Sequence, residues 1–171
     1  MTIDHSPLLA YLFDARRTAV GINYNRVNMI LAVLEKKADI NLLNHDVYVN
    51  VVGGMSTGST STDLAAALAI YSSFTGKTSG KRIVAVGEVG LTGHLRSVPN
   101  ADKIVQEAVR LGYEAVILPE RNARHAAESG SVSVGDGGRS VMVSPAGSDS
   151  GRSIRVIGAA NIMDAIRSYL A

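Results

Sequence analysis

Four consecutive hydroxyl residues, Ser59 to Thr62, lie between a glycine and an alanine-rich apolar stretch in the segment GSTSTDLAAALAI. A hydroxyl at the start of a helix can cap that helix, or it can act as a nucleophile when a base lies beside it. Thr60, followed three residues later by Asp63, predicts a capping box. In that box the Thr60 hydroxyl accepts from the Asp63 amide, and the Asp63 carboxylate accepts from the Thr60 amide.

Ser61 is the member of this cluster that capping does not explain. At helical spacing it shares a face with Leu64, Ala65 and Leu68, so we expect its hydroxyl to point toward the core. A nucleophilic serine needs a base, and the local sequence supplies no histidine. A lysine kept neutral by burial could serve instead.

The sequence gives little indication of a metal site or a cofactor site. The chain has no cysteine, and its histidines fall in separate segments without the spacing of metal ligands. We therefore expect no metal site and no cofactor, and we interpret the histidines as surface or turn residues. They are His5, His45, His94 and His125.

Gly76-Lys77-Thr78 resembles the end of a phosphate-binding P-loop. The full motif requires a glycine at the position of Tyr71, and it requires a strand before the loop, where this sequence predicts a helix. We therefore predict no nucleotide site here, and we expect Gly76 to end the helix.

Length and composition predict a globular domain. The chain has 171 residues, of which 46% are hydrophobic and 19% charged, with a formal net charge of +2. Such a composition is typical of folded proteins and excludes a disordered chain. The amino terminus lacks the layout of a signal peptide, and no apolar run approaches the roughly 20 residues that span a bilayer. With no cysteine, a reducing compartment is expected, and we predict a cytoplasmic protein.

Apolar periodicity predicts alternating helices and strands, and therefore an α/β (α+β) fold. Helices are expected at 23–38, 61–74, 100–111 and 161–170. Strands are expected at 46–52, 82–86, 115–118 and 154–157, with two more joined by a glycine turn within 88–98. Residues 129–153 hold six glycines and eight serines, which predicts a long mobile loop with one short strand at 141–143.

Several segments together resemble the carboxy-terminal domain of the RadA (Sms) family of bacterial repair proteins. They are GINYNRVNMILAVLEKKADINL, DVYVNVVGG, STDLAAALAIYSS, VAVGEVGLTGHLRSVP and ADKIVQEAVRLGYEAVILPERN, and they cover roughly Arg16 to Asn122. That domain is similar to the proteolytic domain of Lon proteases. The resemblance implies the fold shared with domain 2 of ribosomal protein S5, and assembly into hexameric rings.

Lon peptidases use a serine–lysine dyad, and the resemblance places Ser61 at the nucleophile position, where typical RadA proteins carry alanine. The lysine position, counted from Gly87 of GEVGLTG, falls on Ile104, one residue from Lys103. One residue turns a side chain by about 100° around a helix.

The two neighbouring positions belong to different faces of the predicted helix. Ile104 lies on the apolar face with Ala101, Val105 and Ala108. Lys103 groups with the polar residues Gln106, Glu107 and Arg110, so we expect it to be solvated and charged. Without a base, the Ser61 hydroxyl is a poor nucleophile, and we expect no working dyad of Ser61 and Lys103.

The hypothesis that follows is a non-catalytic, Lon-like oligomerisation scaffold that supports a RadA-type ATPase domain in DNA repair and recombination. Residues 1–15 would be an extension and residues 16–171 the Lon-like domain, either excised from a longer protein or standing alone. Two alternatives remain, an active serine peptidase and a DNA-binding module. Candidate DNA contacts, chosen from charge, are Arg82, Arg96, Lys103 and Arg110.

Overall fold

The computed structural model of the protein describes residues 15–42, 44–52, 58–129, 131–134, 140–144 and 153–171. Its contacts divide the chain into two units, Met1–Gly58 and Ser59–Ala171. The predicted boundary between 1–15 and 16–171 falls beside residues outside the described ranges and stays a prediction. So does the mobility predicted for 129–153.

The first unit is a strand–helix–strand arrangement. Strands β1 (Arg17–Val20) and β2 (Val47–Asn50) pair in parallel, with Arg17 opposite Val47. Helix α1 (Tyr24–Ala38) connects them and begins at Asn23, whose side chain accepts from the Arg26 amide. Its buried residues are Val27, Ile30, Leu31, Val33 and Leu34. The predicted helix at 23–38 and strand at 46–52 are confirmed, whereas β1 was not predicted.

The second unit is built on a five-stranded sheet in the order β3-β6-β9-β8-β7. Strands β3 (Ile83–Ala85), β6 (Ala115–Pro119) and β9 (Ile154–Ala159) are parallel. Strands β8 (Ser140–Ser144) and β7 (Ser131–Val134) extend the sheet in antiparallel fashion. Strand β6, which lies between β3 and β9, is buried along its whole length, as expected for a strand covered on both faces. A mixed α/β fold is therefore confirmed.

Four helices and a hairpin accompany this sheet. The helices are α2 (Asp63–Thr75), α3 (Ala101–Arg110), α4 (Glu120–Ser129) and α5 (Ile162–Leu170). Strands β4 (Glu88–Val89) and β5 (Leu95–Arg96) form the hairpin, as the glycine turn predicted. The core includes Val105, Ala108, Val116, Ile154 and Val156.

Two elements of this unit correct the sequence predictions. The strand predicted at 141–143 is confirmed as β8, but the expectation of a single strand within 129–153 is wrong, because β7 pairs with β8. Helix α4 was missed because its buried residues are the small Ala123 and Ala126, which leave no strong apolar pattern. Gly158 allows α4 to pack closely against strand β9, because a Cβ at this position would lie 3.2 Å from Ala123 and 3.3 Å from Glu120.

Gly76 ends α2 in the left-handed conformation, with φ of 67°, as expected from its sequence position. We predict that Gly76→Ala lowers the free energy of unfolding by about 1 kcal/mol, because the left-handed region is costly for a residue with a Cβ. Denaturant unfolding measures this. Gly80→Ala is the matched control, since a Cβ would meet nothing within 4 Å at either position and Gly80 has no positive φ. Equal effects of the two changes would contradict the prediction.

Candidate functional site

The hydroxyl cluster forms a single turn of 3₁₀ helix, Thr60–Thr62, directly before α2. Ser59 has extended backbone angles and caps this turn, its Oγ accepting from the Ser61 amide at 3.2 Å. The Ser59 and Ser61 hydroxyls are also hydrogen-bonded to each other, with 2.7 Å between the oxygens. We call residues 59–62 the serine turn.

Backbone hydrogen bonds fix the serine turn to residues 87–89, which include strand β4. The Gly87 amide donates to the Ser61 carbonyl at 2.9 Å, and the Gly87 carbonyl accepts from the Leu64 amide at 3.0 Å. Gly87 fits closely here, because a Cβ would lie 3.3 Å from Pro119 and 3.4 Å from Leu64. The position of Ser61 is therefore set by a strand distant in sequence as well as by its own turn.

Two acidic side chains complete this connection. The Thr60 hydroxyl donates to Glu88 Oε2 at 2.8 Å, and the Val89 amide donates to Asp63 Oδ2 at 3.1 Å. Asp63 is 1% exposed. A carboxylate so deeply buried is costly unless it is hydrogen-bonded, so these contacts are structurally important.

The predicted capping box is wrong. The Asp63 amide donates to the Thr60 carbonyl rather than to its hydroxyl, and Thr62, the residue preceding α2, makes no side-chain cap. The reason is that both hydrogen-bonding groups of the expected box have distant partners. The Thr60 hydroxyl donates to Glu88, and the Asp63 carboxylate accepts from the Val89 amide.

Ser61 is half-buried, and Leu64 and Leu68 on its predicted face are buried. Ala65 is exposed, which corrects its assignment to that face, because the 3₁₀ turn breaks the α-helical spacing between Ser61 and α2. The Ser61 hydroxyl has the Ser59 hydroxyl as its hydrogen-bond partner. Serine is not a base at neutral pH, so this contact does not activate Ser61.

Lys103 is exposed on α3, whereas Ile104 beside it is half-buried and Val105 is buried. Lys103 and Ile104 both line a groove of about 330 Å³ between α3 and β3, and Ser61 is not among the residues that line it. Among the residues that the structure describes, none forms a hydrogen bond or an ion pair with Lys103. The contacts of Ser61 and Lys103 therefore do not include each other.

The arginines chosen as DNA contacts are exposed, and each has a partner within the second unit. Arg82 lies over the ring of Tyr113, 5.1 Å from its centroid, and donates to the Leu111 carbonyl at 3.3 Å. Arg96 lies 3.6 Å from Glu88. These exposed contacts are weak, so they leave the side chains able to reach a phosphate.

Arg110 forms an ion pair with Glu107 that contains two hydrogen bonds. Its Nε donates to Glu107 Oε2 at 2.8 Å, and its Nη2 donates to Oε1 of the same carboxylate. The hydrogen bond from Arg110 lowers the pKa of Glu107 below its ordinary value of 4.5. The same bond raises the pKa of Arg110 above its ordinary value.

Sequence reasoning missed Glu88 and Tyr113. Glu88 joins the serine turn to Arg96, and its position within GEVGLTG was the available signal. Tyr113 supports Arg82 and lines the groove beside α3. It follows the glycine that ends the helix, but nothing in its local pattern indicated a role.

The described part of the chain was expected from its sequence to hold no metal site. There, no group of three or more histidine, aspartate or glutamate side chains could hold a metal ion. His5 lies outside the described ranges. None of the described helices combines the length and apolarity needed to cross a bilayer.

A family model described as subunit ChlI of Mg-chelatase matches residues 13–122, which is more than half of the chain. The chain belongs to this family. The match contains the serine turn, the 87–89 segment and α3. The term Mg-chelatase refers to the protein after which the family is named, and it assigns no activity to this chain.

The chain is also homologous to DNA repair proteins named RadA. It is 43% identical over 109 residues to the protein of Halalkalibacterium halodurans, covering 64% of this chain and 24% of the relative. It is 37% identical over 157 residues to the protein of Bacillus subtilis, covering 92% and 30%. It is 38% identical over 128 residues to the protein of Escherichia coli, covering 75% and 27%. The chain thus spans 24% to 30% of the length of these relatives, and the resemblance to RadA is confirmed.

We predict that Asp63→Ala destabilises the protein by about 3 kcal/mol, because it leaves the Val89 amide without its charged acceptor in a buried site. Asp63→Asn, which keeps an acceptor oxygen, should cost less. Ser61→Ala is the control and should stay within about 1 kcal/mol, the worth of one hydroxyl hydrogen bond. Denaturant unfolding distinguishes these variants. An Asp63→Ala protein as stable as Ser61→Ala would refute the structural role of Asp63.

The Glu107–Arg110 pair predicts a pH dependence with a defined sign. Because folding lowers the pKa of Glu107, the pair stabilises the protein above the unfolded pKa, and this contribution is lost as the pH falls through the folded pKa. Carboxyl NMR titration should give a pKa below 4.5 for Glu107. The Arg110→Gln substitution should return this pKa toward 4.5. A Glu107 pKa that does not respond to Arg110→Gln would contradict the assignment.

Proposed function

We propose that this chain is a non-catalytic, Lon-protease-like scaffold of a RadA-type DNA repair protein. The finer fold class, that of the Lon proteolytic domain and of domain 2 of ribosomal protein S5, is part of the proposal. It is supported by the mixed parallel and antiparallel sheet and by the family match over residues 13–122. Homology to RadA supports a place in DNA repair and recombination.

The observation that carries the non-catalytic part is the pairing of the Ser61 hydroxyl with Ser59 while Lys103 is exposed on α3. A lysine acts as a base when burial lowers its pKa, and an exposed lysine has no such environment. The serine turn then has a structural explanation, because it connects α2 to residues 87–89 through backbone and side-chain hydrogen bonds.

The scaffold proposal includes assembly of the chain into a ring, which we expect to be hexameric, beside a RadA-type ATPase domain. Light scattering should give a mass about six times the 17.9 kDa of one chain. The same sample should leave unfolded casein uncleaved. A monomer at all accessible concentrations would refute the assembly. Casein cleavage abolished by Ser61→Ala would instead establish the peptidase alternative.

DNA binding by this chain is the second alternative, and it rests on the exposed Arg82, Arg96, Lys103 and Arg110. Binding through phosphates should weaken steeply with salt, and each lost contact should reduce the slope of log K against log salt by about 1. Arg96→Gln should show this reduction, with Lys77→Gln, at an exposed site outside the candidate set, as the control. A binding constant insensitive to salt would exclude phosphate contacts.

A further inference from the structure

Strand β3 lies at the edge of the five-stranded sheet, with β6 as its neighbour on one side. The Val86 amide donates to the Ile117 carbonyl of β6, and the Arg82 carbonyl accepts from the Glu114 amide. Because a parallel strand directs alternate residues to alternate sides, Arg82, Val84 and Val86 face β6 with their backbone groups. The amides and carbonyls of Ile83 and Ala85 therefore face away from β6, on a side where none of the described strands pairs with β3.

A groove runs between this edge and α3. Its apolar lining comes from both sides, from Val84 on β3 and from residues on and after the helix, with Leu111 51% exposed. The helix contributes Ile104 and Ala108, and the segment after it contributes Leu111 and Tyr113. An apolar groove beside strand hydrogen-bonding groups that no described strand pairs with is the arrangement that accepts an extended peptide by strand addition.

The charges around the groove favour an acidic occupant. Lys103 lines the groove, and Arg82 lies over Tyr113, which also lines it. Glu107 is the acidic residue of the lining, but both of its carboxylate oxygens are bonded to Arg110. The lining therefore presents one cation, Lys103, beside a carboxylate that already has a cationic partner, while Arg82 and Glu114 lie next to the groove.

We propose that the groove between β3 and α3 binds an extended segment of a partner protein whose groove-facing side chains, at every second residue, include both apolar and acidic ones. The segment adds a strand to β3 through the backbone groups of Ile83 and Ala85. On the side of the segment that faces the groove, apolar side chains pack on Val84 and Leu111, and an acidic side chain faces Lys103. The groove lies wholly within the second unit, and the proposal does not depend on ring assembly.

The experiment uses the full chain and a displayed library of random octapeptides, followed by fluorescence anisotropy with the enriched peptides. Enriched peptides should carry apolar and acidic residues two positions apart, on one side of the extended chain, and should bind more weakly as salt rises. Ala85→Pro removes an amide that faces the open edge without removing one bonded to β6, so the fold should survive. This variant should bind at least tenfold more weakly, with a melting temperature close to that of the wild type.

A second pair of variants tests the charge. Lys103→Gln should weaken binding of the acidic peptides about threefold to tenfold, whereas Lys77→Gln removes the same charge at an exposed site that does not line the groove. Three results would overturn the proposal: no enriched peptide, enriched peptides that bind Ala85→Pro as tightly as the wild type, or enriched basic peptides. A changed solution mass of Ala85→Pro would also overturn it, because the edge would then be a contact between copies.

Discussion

The hydrogen bonds between the serine turn and residues 87–89 are the constraint on which the interpretation of this protein depends. They begin at a buried carboxylate, Asp63, and include the backbone of Ser61 and Gly87. A buried carboxylate is stable when its hydrogen bonds are satisfied, so α2 and β4 must meet in one arrangement. That arrangement leaves the Ser61 hydroxyl bonded to Ser59 rather than to a base.

A helix start rich in hydroxyls can be explained in this way without catalysis. Ser59 caps the 3₁₀ turn, Thr60 reaches Glu88, and the Ser61 backbone pairs with Gly87. Each group has a structural partner, and each partner lies in a segment that the family match covers. The serine that resembles a nucleophile in sequence is thus part of the framework that positions α2.

Much of the fold could be predicted from the sequence, because long apolar patterns such as that of α1 depend on local spacing. The features that were missed depend on distant contacts. Helix α4 buries only small alanines among its described side chains, and its close packing needs Gly158 on another strand. Likewise, the prediction of a capping box at Thr60 was wrong because the Thr60 hydroxyl donates to Glu88, 28 residues away. The exposure of Lys103 was predictable, since it follows from helical periodicity alone.

The most direct measurement of the central claim is the reactivity of Ser61 toward a fluorophosphonate, which modifies activated serines, followed by intact mass and peptide mapping. With its hydroxyl bonded to Ser59 and Lys103 exposed on α3, Ser61 should remain unmodified under conditions that label a working serine hydrolase completely. Stoichiometric modification at Ser61, absent from Ser61→Ala, would show an activated nucleophile and would contradict the account of an inert scaffold.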